Sequence, residues 1–237
     1  MLEKELHLER NLFFFLNGSD STFWDYFFYI CTYPWTWLLL YICLFWAVTY
    51  KKDWKEIVCV LVAIGLLILF CDQISSHFFK PVFHRLRPTH HPDFENLVHV
   101  FRYKAYEYRG GMYGFISGHA TNAFGLATFT ALIFRNKLFT GTIFLYATLV
   151  SYSRIYIGVH FISDVVVGAL TGASIAVIMY LIYNQIRHNW FFIENSELKK
   201  PICSVKKTYF ICGFFYLYLL LILIFNNQLI TIILQNK

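Results

Sequence analysis

Six stretches of the chain contain no Asp, Glu, Lys or Arg and consist mostly of apolar side chains. They cover residues 26–50, 57–71, 119–134, 138–153, 165–186 and 208–226. A helix that crosses the hydrocarbon core of a bilayer needs about 20 mostly apolar residues. The stretch 57–71 reaches that length by continuing past Asp72 to Phe79, and the two short stretches gain length from polar residues at their ends. The pattern therefore predicts an all-α, polytopic membrane bundle of about six transmembrane helices.

The segment Leu2–Leu16 has a different pattern, in which charged residues alternate with Leu and Phe. Such a segment is typical of an amphipathic helix that lies in the membrane interface. A cleavable signal peptide is not expected, because Glu3, Glu5 and Glu9 interrupt the required basic and apolar start. We therefore predict one membrane-embedded domain over residues 1–237, with an interfacial helix at its N-terminal end.

Composition supports a membrane protein. The chain is 58% hydrophobic and 14% charged, whereas a soluble domain is about a quarter charged. The net charge of +6 could suggest a nucleic-acid partner, but the charges lie in the gaps between apolar stretches and form no single basic face. The six cysteines show no CxxC pairing and lie mostly inside apolar stretches, which argues against a disulfide framework or a zinc site.

Loop charges predict the orientation of the bundle. Lys and Arg residues gather in the loops that follow the first, third and fifth predicted helices, at positions 51, 52, 55, 135, 137, 187, 199, 200, 206 and 207. Positive charge is enriched in cytoplasmic loops. The long loop 80–118 and the short turn 154–161 are then expected on the opposite side, together with both termini.

The loop 80–118 begins with a basic cluster, residues 80–88, with the sequence KPVFHRLRP. Proline favours the first turn of a helix and disfavours helix in the residue before it, so we expect a new helical turn after Lys80. In a helix over residues 81–87, Lys80 and Arg87 would lie about two turns apart on one face. Both cations would then point to a common place.

Two more clusters are expected at the same side of the bundle. Ser117, Gly118 and His119 begin the helix 119–134, and backbone N–H groups at a helix N-terminus can bind an anion. The last cluster, residues 153–164, contains Arg154, His160 and Asp164. His160 and Asp164 are four residues apart, so on a helix they would face the same way.

Together the three clusters provide the groups that phosphoryl transfer needs. A neutral imidazole such as His160 can attack phosphorus, and Asp164 would hold its tautomer and stabilise positive charge. His119 could protonate the departing oxygen. No carboxylate cluster suited to magnesium occurs in the sequence. The charge of the transferred group would instead be neutralised by three fixed cations, Lys80, Arg87 and Arg154.

These clusters resemble the signature of the type 2 phosphatidic acid phosphatase superfamily. The family pattern is Lys-x6-Arg-Pro, Pro-Ser-Gly-His and Ser-Arg-x5-His-x3-Asp. The first and third parts match in full, and in the second Ile116 stands where the family has proline. The resemblance implies that His160 is the nucleophile, Asp164 its partner and His119 the general acid. It also implies a set of phosphate-binding residues, namely Lys80, Arg87, Ser117, Gly118 and Arg154.

The resemblance implies a lipid phosphate or diphosphate phosphatase without metal or cofactor, in a bacterial inner membrane with its site facing the periplasm. We expect undecaprenyl diphosphate or a lipid A phosphate as substrate, and no nucleic acid or protein partner. A lipid phosphotransferase with the same site is the near alternative. A transporter is disfavoured, because the sequence shows no repeated or broken helices at matching positions in two halves.

Three features are left open by the sequence. Asp72, in the second predicted helix, is either a partner for a site cation or a packing residue. The loop 89–115 is either a solvated loop or a lid that grips an anionic head group. Gly168, Gly172 and Ala176 continue from Asp164 at intervals of four residues, and close helix packing is the favoured explanation.

Overall fold

The computed structural model describes residues 2–19 and 21–235 and is mostly helical, with two short strands. The first half contains α1 (Leu2–Leu16), α2 (Thr22–Thr32), a 3-10 turn (Pro34–Trp37), α3 (Leu38–Thr49), α4 (Trp54–Gln73), a π-helical segment (Ile74–Phe79) and α5 (Lys80–Phe83). A second 3-10 turn (Pro88–His90) and the strands β1 (Arg102–Tyr103) and β2 (Tyr106–Glu107) follow. The second half contains α6 (Gly118–Phe134), α7 (Lys137–Tyr156), α8 (Ile162–Phe191), α9 (Asn195–Leu198), α10 (Val205–Ile224) and α11 (Asn226–Leu234).

The membrane helices confirm the predicted all-α bundle. Within the described residues, three helical segments have the length and apolar composition to cross a bilayer, namely Trp54–Phe83, Ile162–Phe191 and Val205–Ile224. The predicted stretch 26–50 is instead divided between α2 and the segment Pro34–Thr49, which meet at a bend of 72° and would form a fourth span if they cross together. Proline lacks the N–H that would continue the helix, which explains a break at Pro34.

Helix α6 occupies the centre of the bundle, where it packs against α4, α7 and α8. Its contact with α8 depends on small residues: a Cβ atom on Gly172 would lie 2.0 Å from the carbonyl oxygen of Thr121, and one on Gly168 would lie 2.8 Å from that of Ser117. Only glycine permits the two backbones to approach this closely. The interval-of-four pattern below Asp164 is therefore a helix-packing surface, as favoured by the sequence.

The loop 89–115 is folded against the ends of the helices. Strands β1 and β2 pair antiparallel, with Tyr103 opposite Tyr106, and Phe101 is completely buried. The ring of Phe101 stacks on that of Tyr29 from α2, with centroids 3.9 Å apart. This loop is therefore a packed part of the fold, and the interpretation as a merely solvated loop is wrong.

Helix α1 confirms the predicted helix over Leu2–Leu16. Its Phe13 is fully buried and packs against Phe161, the residue before α8, and Phe94 from the loop, with ring centroids 5.3 and 6.1 Å away. These contacts place α1 at the end of the bundle that carries the three polar clusters. Its position in a membrane interface stays a prediction.

Candidate active site

Arg87 reaches the site from an extended segment. The helical turn expected after Lys80 is present, but it does not continue as a helix over 81–87. Helix α5 includes Pro81 but ends at Phe83, and His84 adopts a left-handed conformation with φ of 45°. The chain then pairs with the end of the loop, where the N–H of Arg87 donates to the carbonyl of Met112 at 3.0 Å. Pro88 explains the extended conformation, because proline disfavours helix in the residue before it.

The guanidinium of Arg87 contacts the ring of His160. Its Nη1 atom lies 3.2 Å from Nε2 of His160 and 3.2 Å from the carbonyl oxygen of Val159, and its Nε donates to the carbonyl of Tyr113 at 3.2 Å. Two backbone carbonyls therefore hold this cation beside the histidine.

His160 contacts Asp164, although not along a helix as predicted. His160 lies in the turn between α7 and α8, and Phe161 precedes the first residue of α8. Asp164 stands in the first turn of α8, where its Oδ2 accepts from the N–H of Phe161 at 3.0 Å and lies 3.3 Å from Nδ1 of His160. Both side chains are almost fully buried, with His160 1% and Asp164 0% exposed.

These contacts define the tautomer of His160. An arginine guanidinium carries only donors, so Nε2 beside Arg87 must be the unprotonated nitrogen. Nδ1 then carries the proton and donates it to Asp164. Burial and the charges of Arg87 and Arg154 lower the pKa of His160 well below its ordinary value of 6.5. The ring is therefore neutral near pH 7, with the lone pair of Nε2 on the side of the cations.

Arg154, in the last turn of α7, is 2% exposed. Its Nη1 donates to Oγ1 of Thr32 at 2.6 Å, and its Nη2 donates to the hydroxyl of Tyr108 at 3.2 Å. Its Nε atom is buried and has no hydrogen-bond partner among the described residues. A buried donor without a partner is costly in free energy, and an anionic ligand would satisfy it.

Lys80 and His119 complete the group of charged and polar side chains. Both His119 and His160 lie within electrostatic range of Lys80, Arg87 and Arg154. The ammonium of Lys80 lies 3.4 Å from Oγ of Ser76, one turn earlier. Asp72 lies within electrostatic range of Lys80 but makes no salt bridge with it, so the structure favours a weak partner over a packing residue.

The start of α6 agrees with the predicted helix N-terminus. Ser117 is the N-terminal cap, and its Oγ lies 3.5 Å from the N–H of Ala120. The N–H of Ser117 donates to the carbonyl of Asp164 at 3.0 Å. This hydrogen bond joins α6 to α8. A Cβ atom on Gly118 would lie 3.1 Å from Oγ of Ser75, so little room is left for a side chain at this position.

Sequence reasoning missed Arg85 and Glu9. Arg85 donates through Nη1 to Oδ1 of Asp164 at 2.8 Å and through Nη2 to Oε1 of Glu9 at 2.7 Å. Arg85 lies inside the first basic cluster, but nothing in the sequence distinguishes it from a solvated arginine. Glu9 belongs to α1, which the charge pattern assigned to the membrane surface.

The site has a strong excess of uncompensated positive charge. Within the described part of the chain, Lys80, Arg87 and Arg154 make no salt bridge, whereas Arg85 makes two. Burial and repulsion by Arg154 lower the pKa of Arg87 to about 10. Such a group of cations is stabilised by an anion with several oxygens, and the neutral imidazole of His160 lies beside it. The arrangement is that of a phosphoryl-transfer enzyme in a membrane.

Comparison with known proteins identifies the family. Residues 56–188 match the model of the PAP2 superfamily, and the chain belongs to this superfamily. A lipid A 4'-phosphatase of Porphyromonas gingivalis is 48% identical over 80% of this chain and 78% of the relative. A lipid A 4'-phosphatase of Bacteroides thetaiotaomicron is 36% identical over 78% of this chain and 81% of the relative.

A crystal structure of Aquifex aeolicus LpxE aligns with a TM-score of 0.49 and 28% identity, over 71% of this chain and 92% of that one. The family and the two curated relatives establish that this chain is a membrane lipid phosphatase, a hydrolase of phosphoric esters whose substrate is a phosphorylated lipid.

Proposed function

We propose that this chain removes a phosphate from lipid A at the periplasmic face of a bacterial inner membrane, through a phosphohistidine on His160 and without a metal ion. Both curated relatives are named as lipid A 4'-phosphatases, which favours lipid A over undecaprenyl diphosphate. The roles of His160, His119 and Asp164 as catalytic residues, and of Lys80, Arg87, Ser117, Gly118 and Arg154 as phosphate-binding residues, are part of this proposal.

The observation that carries the proposal is the placement of His160 between a carboxylate and a cation. Asp164 lies at Nδ1 and Arg87 at Nε2, at 3.3 and 3.2 Å. A phosphoryl group that approaches Nε2 takes the place of the Arg87 hydrogen bond, and the guanidinium then donates to phosphoryl oxygens instead. The cation thus neutralises charge where it develops in the transition state.

The reaction proceeds in two displacements. In the first displacement, the lone pair of Nε2 forms a bond to phosphorus while the bond to the lipid oxygen breaks. His119, held as an imidazolium by the charge of the bound phosphate, donates its proton to that oxygen and becomes neutral. The positive charge on the ring of His160 is stabilised by Asp164. In the second, His119 takes a proton from water as the water oxygen attacks phosphorus. The P–N bond then breaks, its electron pair returns to Nε2, and inorganic phosphate leaves.

The distribution of charge supports the periplasmic location. Arg135 and Arg187 lie at the ends of α6 and α8 that are remote from His160, and Lys52 lies in the loop before α4. The positive-inside rule places this end in the cytoplasm. The catalytic end then faces the periplasm.

Phosphate release by purified protein from a panel of lipids tests this proposal. The panel contains lipid A with a 4'-phosphate, undecaprenyl diphosphate, phosphatidate and phosphatidylglycerophosphate, and His160→Ala is the control. We expect lipid A to give the highest kcat/KM. A higher value for undecaprenyl diphosphate would refute the lipid A assignment. Transfer of labelled phosphate to an added lipid alcohol, faster than hydrolysis, would identify a phosphotransferase.

Enzyme quenched in alkaline denaturant should retain label from phosphate-labelled substrate as a base-stable, acid-labile adduct on His160. A label on any other residue, with His160→Ala still active, would remove the phosphohistidine from the mechanism.

A further inference from the structure

Glu9 and Arg85 form a buried ion pair next to the proposed nucleophile. We propose that this pair positions Asp164 against His160, so that helix α1 is a working part of the active site. Neither residue touches the phosphoryl group in this proposal. They act through Asp164, and the inference rests on the proposed role of His160 as the nucleophile.

Arg85 is fixed on three sides. Its Nη1 donates to Oδ1 of Asp164 at 2.8 Å and to Oγ of Ser163 at 2.6 Å, and its Nη2 donates to Glu9 at 2.7 Å. The guanidinium also lies over the ring of Phe161, 4.7 Å from its centroid. The side chain is only 4% exposed. A planar guanidinium with this many fixed contacts determines the orientation of the carboxylate that it binds.

Glu9 closes the network from α1. Its Oε2 accepts from the N–H of Ser163 at 2.8 Å, and its Oε1 accepts from the hydroxyl of Ser163 at 2.7 Å as well as from Arg85. Ser163 stands in the first turn of α8, where a negative side chain interacts favourably with the free N–H groups. Phe13, one turn after Glu9, is fully buried. Its packing therefore fixes the position of Glu9 on α1.

The two carboxylate oxygens of Asp164 have different partners, and this difference matters for catalysis. Arg85 occupies Oδ1, which directs Oδ2 to Nδ1 of His160 and the N–H of Phe161. A buried carboxylate that loses its cation is driven toward its protonated form. Protonated Asp164 could no longer accept the Nδ1 proton or stabilise the charge on phosphorylated His160. Loss of the pair should therefore slow formation of the phosphoenzyme and leave phosphate binding intact.

A double-mutant cycle with Asp164→Asn tests whether the pair acts through Asp164. Loss of a group that orients a directly acting side chain typically costs about 10- to 100-fold in activity. We expect Arg85→Met and Glu9→Gln to lower kcat by such factors with KM nearly unchanged, and Arg85→Lys to recover part of the loss. In the Asp164→Asn background the same Arg85→Met change should cost less than about threefold, because the residue through which it acts is already impaired.

Arg102→Met is the matched control, because Arg102 also pairs with a glutamate, Glu107, but is 70% exposed and outside the cluster. It should retain wild-type activity. The proposal would be overturned if the fold-losses in kcat of Arg85→Met and Asp164→Asn multiplied in the double variant. It would also be overturned if Arg85→Met raised KM and left kcat unchanged. If Arg85→Met fails to fold, the double-mutant cycle is made with Glu9→Gln and Arg85→Lys instead, since both keep the size of the side chain closer to the original.

The kcat and KM values of the wild-type protein and its variants are measured on the phosphorylated lipid that the wild-type protein hydrolyses fastest. A substrate other than lipid A would then refute the lipid A assignment while the test of the pair remains valid. If His160→Ala keeps its activity, the proposed mechanism is refuted before the pair is tested. A failure of the mechanism is thus distinguished from a failure of the proposal about the pair.

Discussion

Gly114 lies directly against Asp164. A Cβ atom on Gly114 would stand 3.0 Å from Oδ2 of Asp164, 3.2 Å from Cγ of Arg87 and 3.6 Å from Nδ1 of His160. The backbone of the loop is thus one wall around the proposed catalytic pair, Asp164 and His160. The N–H of Gly114 donates to the carbonyl of Arg85 at 2.9 Å, and this hydrogen bond holds the wall in position.

We therefore predict that Gly114→Ala lowers kcat about tenfold or more, because a small displacement of reacting groups can cost up to about 10²-fold. Gly111→Ala is the matched control, since a Cβ atom there has no neighbour within 4 Å, and it should retain wild-type kcat. Steady-state kinetics on both variants make the comparison. Equal activities for the two variants would show that the wall tolerates an extra methyl group.

Arg154 should not be replaceable by lysine. The guanidinium uses two nitrogens to reach Thr32 and Tyr108 and leaves a third, Nε, buried without a partner. Lysine supplies charge but no planar fork. Removal of one donor that stabilises a transition state costs about 10²–10³-fold, and we expect Arg154→Lys to lose about that much in kcat/KM. A variant within a few-fold of wild type would show that charge alone suffices.

The protonation of His160 should make the protein less stable in acid. Burial and the charges of Arg87 and Arg154 lower its pKa in the folded state well below 6.5. Between that value and 6.5 the unfolded state binds more protons, so stability is lost as the pH falls. From pH 7.5 to 5.5 this one group removes on the order of 1 kcal/mol of stability, because the unfolded state takes up a proton that the folded state does not.

Thermal unfolding at the two pH values measures this loss. His160→Gln removes the titrating group and should narrow the difference in Tm between pH 7.5 and 5.5. His188→Gln, at the exposed end of α8, should keep the wild-type difference. An unchanged difference in His160→Gln would mean that the pKa of His160 is not lowered in the folded protein.

The sequence predicts the chemistry of this site better than its local geometry. The spacing of Lys80, Arg87 and His160 indicated a common phosphate site, and the structure brings their side chains into electrostatic range of one another. The helical turn predicted after Lys80 does not continue to Arg87, because tertiary pairing outweighs the local helix preference of Pro81. Leu86 forms an antiparallel bridge with Tyr113, a contact that local sequence does not reveal.

The supporting contacts could not be predicted, because they join distant parts of the chain. Glu9 and Arg85 are separated by 76 residues, and Arg154 and Thr32 by 122. Helical periodicity determines which residues share a face but not which loop covers the end of a bundle. The fold class was accessible from hydrophobic pattern alone, whereas the bend at Pro34 depends on how α2 and α3 pack against their neighbours.

Hydrolysis should continue in excess chelator, because Lys80, Arg87 and Arg154 provide the positive charge that a divalent cation supplies in other phosphoryl-transfer sites. Orthovanadate should inhibit, because its five-coordinate form resembles the transition state and can bond to Nε2 of His160. Phosphate release is measured with EDTA, with EDTA plus an excess of magnesium, and with vanadate. Activity that disappears in EDTA and returns with magnesium would contradict the role of the fixed cations.

His119 is tested through the leaving group. A lipid alkoxide needs a proton as the P–O bond breaks, whereas the phosphate released from a diphosphate departs more easily without one. General-acid assistance is typically worth about 10²–10⁴-fold. His119→Ala should therefore reduce kcat/KM for a lipid monoester such as the 4'-phosphate of lipid A far more than for undecaprenyl diphosphate.

The comparison uses kcat/KM on both substrates, because His119 lies within electrostatic range of Arg87 and Arg154, and a role in binding phosphate has to be separated from proton donation. A residue that only binds phosphate weakens both reactions by the same factor, since both substrates present the same reacting group. Equal losses would thus assign His119 to binding, and the proton would then come from water or from the loop 89–115. A larger loss on the monoester, with the diphosphate still turned over, assigns the proton to His119.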